Sequence, residues 1–123
     1  MNSPAPFKVQ SETLDGVQII AVRGELDLNT APELERSLEA ALGANGSALV
    51  IDLSGCEFID STGIAMIVRA WQQLGHESNG QGHSRFAICC VNDQVQRLLD
   101  ITGLESSIPT HSTRNEALAE LRG

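Results

Sequence analysis

Tyrosine is absent from this chain of 123 residues, and only Phe7, Phe58, Phe86 and Trp71 carry aromatic rings. Stacked-base recognition of single-stranded nucleic acid has almost no material here, and the core must be chiefly aliphatic. Basic residues are scarce too: 8 Lys and Arg stand against 16 Asp and Glu, a formal net charge of -8. Such a field repels a phosphate backbone, which argues against direct nucleic-acid binding, while it favours solubility and encounter with a basic partner. The three cysteines, Cys56, Cys89 and Cys90, are an odd number and make no disulfide framework. Adjacent cysteines on a strand are expected to face opposite ways. His76, His83 and His111 sit in polar stretches without zinc-like spacing, so neither metal nor cofactor is expected. No apolar run approaches the ~20 residues that span a bilayer, and Met1–Pro6 lacks the basic start and apolar run of a signal peptide. These absences imply a reduced, cytoplasmic chain that keeps clear of membranes.

What is present suits one core. Hydrophobic residues make up 41% of the chain, typical of a folded domain. The expected organisation is a flexible terminus over 1–6 and a single domain over 7–122. Phe7, Val9, Ser11 and Thr13 alternate with Lys8, Gln10 and Glu12, the period of a half-exposed strand. Asp15-Gly16 signals a hairpin turn, and Val17–Arg23 supplies the return strand. Thr30 and Glu33, with Pro32 between them, predict a capping box. Beyond it Ala31, Leu34, Leu38, Ala41 and Leu42 share one helical face, and Gly43 is a stop.

The apolar run Ala48–Leu53 predicts a strand buried on both faces, and Ser54–Ile59 a loop after it. Ile64, Ile67, Val68, Trp71 and Leu74 then recur at helical spacing. Residues 75–84 are polar and glycine-rich, which predicts a mobile surface loop. Arg85–Val91 reads as a second buried strand. Asn92 caps a helix that turns Val95, Leu98 and Leu99 inward and ends at Gly103. Residues 107–110 predict a short edge strand. Thr113 and Glu116 open a last helix carrying Ala117, Leu118 and Leu121. A hairpin followed by strands alternating with helices indicates an α/β fold with a mixed β-sheet and about four α-helices. In such folds, partners meet the carboxyl ends of the strands. The segments after Arg23 and after Leu53 lie at such ends.

Gly24-Glu25-Leu26-Asp27 with Thr30-Ala31-Pro32, and Asp60-Ser61-Thr62-Gly63-Ile64 entered from Val50-Ile51-Asp52-Leu53, resemble the two signatures of STAS domains in anti-sigma factor antagonists. Together with Val95–Leu104 and the order of elements, the resemblance covers roughly Phe7 to Leu121. It implies a single STAS domain that binds an anti-sigma factor in its unphosphorylated form and so releases a sigma factor. The implied anti-sigma factor is also a serine kinase of the GHKL ATPase type. It would phosphorylate Ser61 and end the complex, and a PPM-type serine phosphatase would restore it. Thr62 is the minor alternative phosphoacceptor. Asp27, Asp60, Ser61, Thr62, Gly63 and, more weakly, Glu25 are the implied partner-binding residues. The expected oligomeric state is monomer or weak dimer.

The local physics agrees with a surface switch. A phosphate adds about -1.5 to -2 charges at a helix start, where backbone amides stabilise anions. Plainer readings stand beside it. Asp60 or Ser61 serves as a helix cap worth ~1 kcal/mol, Asp27 as a turn residue, and Gly63 as a point of close packing. Two alternatives stand beside this function: an unphosphorylated accessory subunit of a lipid-transport ABC system, or a subunit of a larger STAS signalling assembly. An enzyme is not expected. Asp60-Ser61-Thr62-Gly63 breaks the Asp-Ser-Gly order of an aspartic-protease loop, and no Gly-x-Ser-x-Gly elbow or Walker loop is present. Only Cys56 offers a thiol near the site, without a basic neighbour in sequence to activate it.

Overall fold

Asp15 and Gly16 take positive φ, 52° and 81°, the pair of left-handed residues that a tight hairpin requires. They join β1 (Lys8–Leu14) to β2 (Val17–Leu26), antiparallel from Lys8↔Arg23 to Leu14↔Val17. The remaining elements follow in the order α1 (Ala31–Leu42), β3 (Ala48–Ile59), α2 (Ser61–Gly75), β4 (Phe86–Cys89), α3 (Asp93–Thr102), β5 (Thr110–His111) and α4 (Arg114–Arg122). The computed structural model describes residues 6–43, 48–75, 85–103 and 108–122. Residues 1–5, the stretch 76–84 with His76 and His83, and Ser107 lie outside the described residues.

The five strands lie in sequence order, β1-β2-β3-β4-β5, and every pair after the hairpin is parallel. Parallel pairing demands crossovers, and the helices between the strands supply them. One face of the sheet, with Ile20, Val22, Leu49, Ile51, Leu53, Phe86 and Ile88, is buried under α1, α2 and α3. The other face, with Val17, Ile19, Val50, Ala87 and Cys89, is covered by Ala117 and Leu118 of α4. The run Ala48–Leu53 is thus buried on both sides, as its unbroken apolarity requires.

Three local expectations need correction. Ser54–Ile59 is strand, not loop: β3 continues to Ile59 because β2 extends to Leu26 and pairs with it, through register shifts at Ala21/Arg23 and Gly24/Glu25. Gly24, at φ 90°, supplies the irregular backbone there, a conformation other residues rarely accept. Thr30 has helical angles and makes no side-chain cap. Its hydroxyl instead donates to the Glu25 carbonyl at 2.8 Å and accepts from the Asp27 N–H at 2.9 Å. Of the expected edge strand, Ser107 lies outside the described residues and the described strand is Thr110–His111, with the Ile88 and Cys90 amides donating to the carbonyls of Pro109 and His111.

Other signals hold. Asn92 Oδ1 accepts from the Val95 N–H at 2.8 Å, and Gly103 ends α3 at φ 76°. Thr113 Oγ1 accepts from the Glu116 N–H at 3.1 Å, while Glu116 reaches back to the Ser112 N–H at 3.2 Å.

Candidate functional site

β2 and β3 finish together. Glu25 pairs with Phe58 and Leu26 with Ile59, and the Asp60 N–H donates to the Leu26 carbonyl at 3.1 Å. The two segments that follow, Asp27–Thr30 and Asp60–Gly63, therefore leave the sheet side by side. Both carboxylates fold back on their own chain. Asp27 Oδ1 accepts from the N–H groups of Asn29 and Thr30 at 2.9 and 3.1 Å, and the Asp27 carbonyl accepts from Ala31 at 2.8 Å. Asp27 thereby closes the turn that leads into α1.

Asp60 does the same for α2. Its Oδ1 accepts from the N–H groups of Thr62 and Gly63 at 2.9 and 3.1 Å, and its carbonyl accepts from Ile64 at 3.0 Å. Capping falls to Asp60, which leaves the Ser61 hydroxyl out of that bond set. Ser61 is the first residue of α2 and is exposed; Thr62 is half-buried and Gly63 buried. Gly63 sits where a Cβ would lie 2.7 Å from both Ile59 Cγ1 and Leu26 Cγ, so the helix start approaches the strand ends more closely than any larger residue allows. Glu25 is exposed on β2, and its carbonyl receives the Thr30 hydroxyl.

Apolar side chains surround this end of the sheet. Leu28 is 71% exposed and Ile101 75% exposed, and Phe58 is also open to solvent. A shallow cleft of about 170 Å³ is lined by Phe58, Ile59, Gln94, Arg97, Leu98 and Ile101. Isolated exposed apolar residues are ordinary, but a group of them beside a polar rim is the anatomy of a protein-binding surface. Periodicity does not reveal Leu28, Phe58 and Ile101, since each sits where its element meets solvent.

Cys56 is buried, and its thiol donates to the Phe58 carbonyl at 3.3 Å. Burial pushes this thiol up from its ordinary value, the reverse of what a thiolate nucleophile needs. The Asn92 side chain donates to the Cys56 carbonyl at 2.9 Å, so the Cys56 segment serves to dock α3 on β3. Among the described residues no helix is long and apolar enough to cross a membrane.

The family model for the STAS domain matches residues 8–117. The chain belongs to the STAS-domain family. This STAS domain is 29% identical over 123 residues to the anti-sigma-F factor antagonist RsfB of Mycobacterium tuberculosis, covering 100% of this chain and 96% of that protein. It is 31% identical over 110 residues to the anti-sigma-B factor antagonist of Listeria monocytogenes, covering 89% and 91%. The crystal structure of an anti-sigma factor antagonist from Mycobacterium paratuberculosis superposes with a TM-score of 0.86 at 32% identity, over 100% of both chains. The family and the fold expected from Gly24–Asp27 and Asp60–Ile64 are thus borne out, four helices and a mixed five-stranded sheet included.

Proposed function

We propose that this STAS domain is an anti-sigma factor antagonist whose partner complex is ended by phosphorylation of Ser61. One observation carries the reading: Ser61 opens α2 with its side chain exposed, while Asp60 supplies the cap bonds to Thr62 and Gly63. A serine needed for capping would be poorly placed for modification; this one is released from that duty. The names of the relatives from Mycobacterium tuberculosis and Listeria monocytogenes support the same reading.

The partner is an anti-sigma factor that also acts as a serine kinase of the GHKL type. It docks on the surface made by Glu25, Asp27, Asp60, Ser61 and Thr62, positioned from beneath by Gly63 and extended by the apolar side chains of Leu28, Phe58 and Ile101. Docking frees a sigma factor. The Ser61 hydroxyl then attacks the terminal phosphoryl group of ATP, loses its proton, and ADP departs. A PPM-type phosphatase hydrolyses the ester. Dependence on ATP places the cycle in the cytoplasm.

The geometry sharpens the electrostatics of the switch. The Thr62 and Gly63 amides are already committed to Asp60, so a phosphate on Ser61 meets Asp60 as a rival for these donors. Added charge of about -1.5 to -2 beside existing carboxylates raises the cost of desolvating the interface. The partner leaves while the fold stays.

Incubation with the kinase and ATP, followed by intact-mass measurement and peptide mapping, tests the proposal. One phosphate on Ser61 is expected, with Ser61→Asp failing to hold the partner and Ser61→Ala still holding it. Modification at another residue, or equal binding by both variants, overturns it.

A further inference from the structure

Cys89 ends β4, and Cys90 follows it with φ 70°, in the left-handed region. In a continuing strand the two side chains would point to opposite faces. The left-handed turn breaks that alternation and corrects the expectation stated above. Asp52, the one buried charged residue among those described, pairs with Cys89 across β3 and β4. A carboxylate oxygen of Asp52 and the sulfurs of Cys89 and Cys90 all lie within 4.8 Å of one another. None of the three belongs to the Ser61 surface.

We propose that Cys89, Cys90 and Asp52 form a binding site for a thiophilic divalent cation of the zinc class. Zinc–sulfur bonds of about 2.3 Å at a tetrahedral angle set two sulfurs about 3.8 Å apart, within the spread that these side chains already show. Asp52 can contribute without leaving its present partners. Its Oδ2 accepts from Arg114 Nε and Nη2 at 3.1 and 2.8 Å, and its Oδ1 accepts from the Ser54 N–H at 2.9 Å. A carboxylate oxygen carries two lone pairs, so Oδ1 retains one for a cation. Water completes the coordination.

Charge balance favours the same ligand class. On binding, the two thiols release their protons to solvent and two metal–sulfur bonds form. A divalent cation with two thiolates is neutral, and the half-exposed Arg114, which also pairs with the exposed Glu12, faces the remaining charge of Asp52. Cys89 is buried, but Cys90 is half-buried and the Arg114 side chain is 36% exposed, which gives an ion a way in past Cys90. Hydrophobic packing alone would be served by any small side chain. Sulfur at both positions, next to a carboxylate, suits a thiophilic cation.

The test uses the full, reduced chain, titrated with zinc against a chromophoric chelator and with cadmium while the thiolate-to-cadmium charge-transfer absorption is followed. One equivalent of either ion is expected, with the cadmium band present. Cys90→Ser should weaken binding by more than the about 10–100-fold that loss of an outer partner costs, and Cys56→Ser should leave it unchanged. Absence of the band, its persistence in Cys90→Ser, or zinc binding without thiolate absorption overturns the proposal. Should Cys89→Ala fail to fold because of its burial, the half-buried Cys90 decides the matter.

Discussion

Gly63 stands so close to Leu26 that a Cβ placed on it would fall 2.7 Å from Leu26 Cγ and 2.8 Å from Leu26 Cδ2. Leu26 is fully buried, so it has nowhere to retreat. Gly63→Ala should therefore destabilise the fold by about 1–3 kcal/mol through overpacking. Urea denaturation measures this, and an unchanged midpoint would show that the contact relaxes freely.

Replacing Asp60 separates capping from charge. Asp60→Ala removes both bonds to the α2 amides and should cost about 0.5–2 kcal/mol. Asp60→Asn keeps an accepting oxygen and should stay close to the parent in stability, while altering the charge beside Ser61. Thermal unfolding of the two variants should rank them in that order. Equal loss in both would mean that the carboxylate charge, not the cap, stabilises the helix.

Asp52 should govern part of the acid sensitivity. Burial pushes its carboxyl up, but the Ser54 amide and the Arg114 guanidinium outweigh that and hold it below the ordinary value of 3.8. The unfolded chain then takes up this proton first as the pH falls. Asp52 contributes fully above the ordinary carboxylate range and loses its contribution as the pH drops through the folded value. Asp52→Asn should be less stable at neutral pH by about 1–3 kcal/mol and should show a shallower decline in acid. Acid limbs that run parallel would remove Asp52 from the explanation.

Thiol reactivity should follow burial. Cys56 and Cys89 are buried and Cys90 is half-buried, and all three thiols are pushed up from their ordinary value, first by burial. In the native chain at neutral pH an aromatic disulfide reagent should modify Cys90 slowly and leave Cys56 and Cys89 intact. All three react after denaturation. Rapid native modification of Cys56 would show that its thiol is accessible in the folded chain.

What the sequence reveals depends on how local its cause is. Asp15-Gly16, Asn92 and Gly103 act within a few residues, and each performs as its chemistry predicts. The α2 stripe of Ile64, Ile67 and Leu74 follows from helical period alone, and all three are buried. Ser54–Ile59 has no local reason to be strand; its conformation is set by β2, more than two dozen positions earlier in the chain, so propensity yields to pairing. Thr30 has a capping residue's chemistry, yet Glu25 and Asp27 claim its hydroxyl. The meeting of Asp52 with Cys89 and Cys90 needs both a sheet register and one left-handed residue, and neither leaves a mark in spacing. Ser61 is the opposite case: the motif singles it out, and the helix start leaves it at the surface.

Arg114 joins two distant carboxylates, Asp52 at 2.8 Å and Glu12 at 2.6 Å. A nascent chain emerges from the ribosome in order, so β3 is available long before this cation exists. Until α4 arrives, the acid in the middle strand lacks the guanidinium that accompanies it into the interior. The sheet can form its hairpin early, but its second face must wait for α4 to seal it.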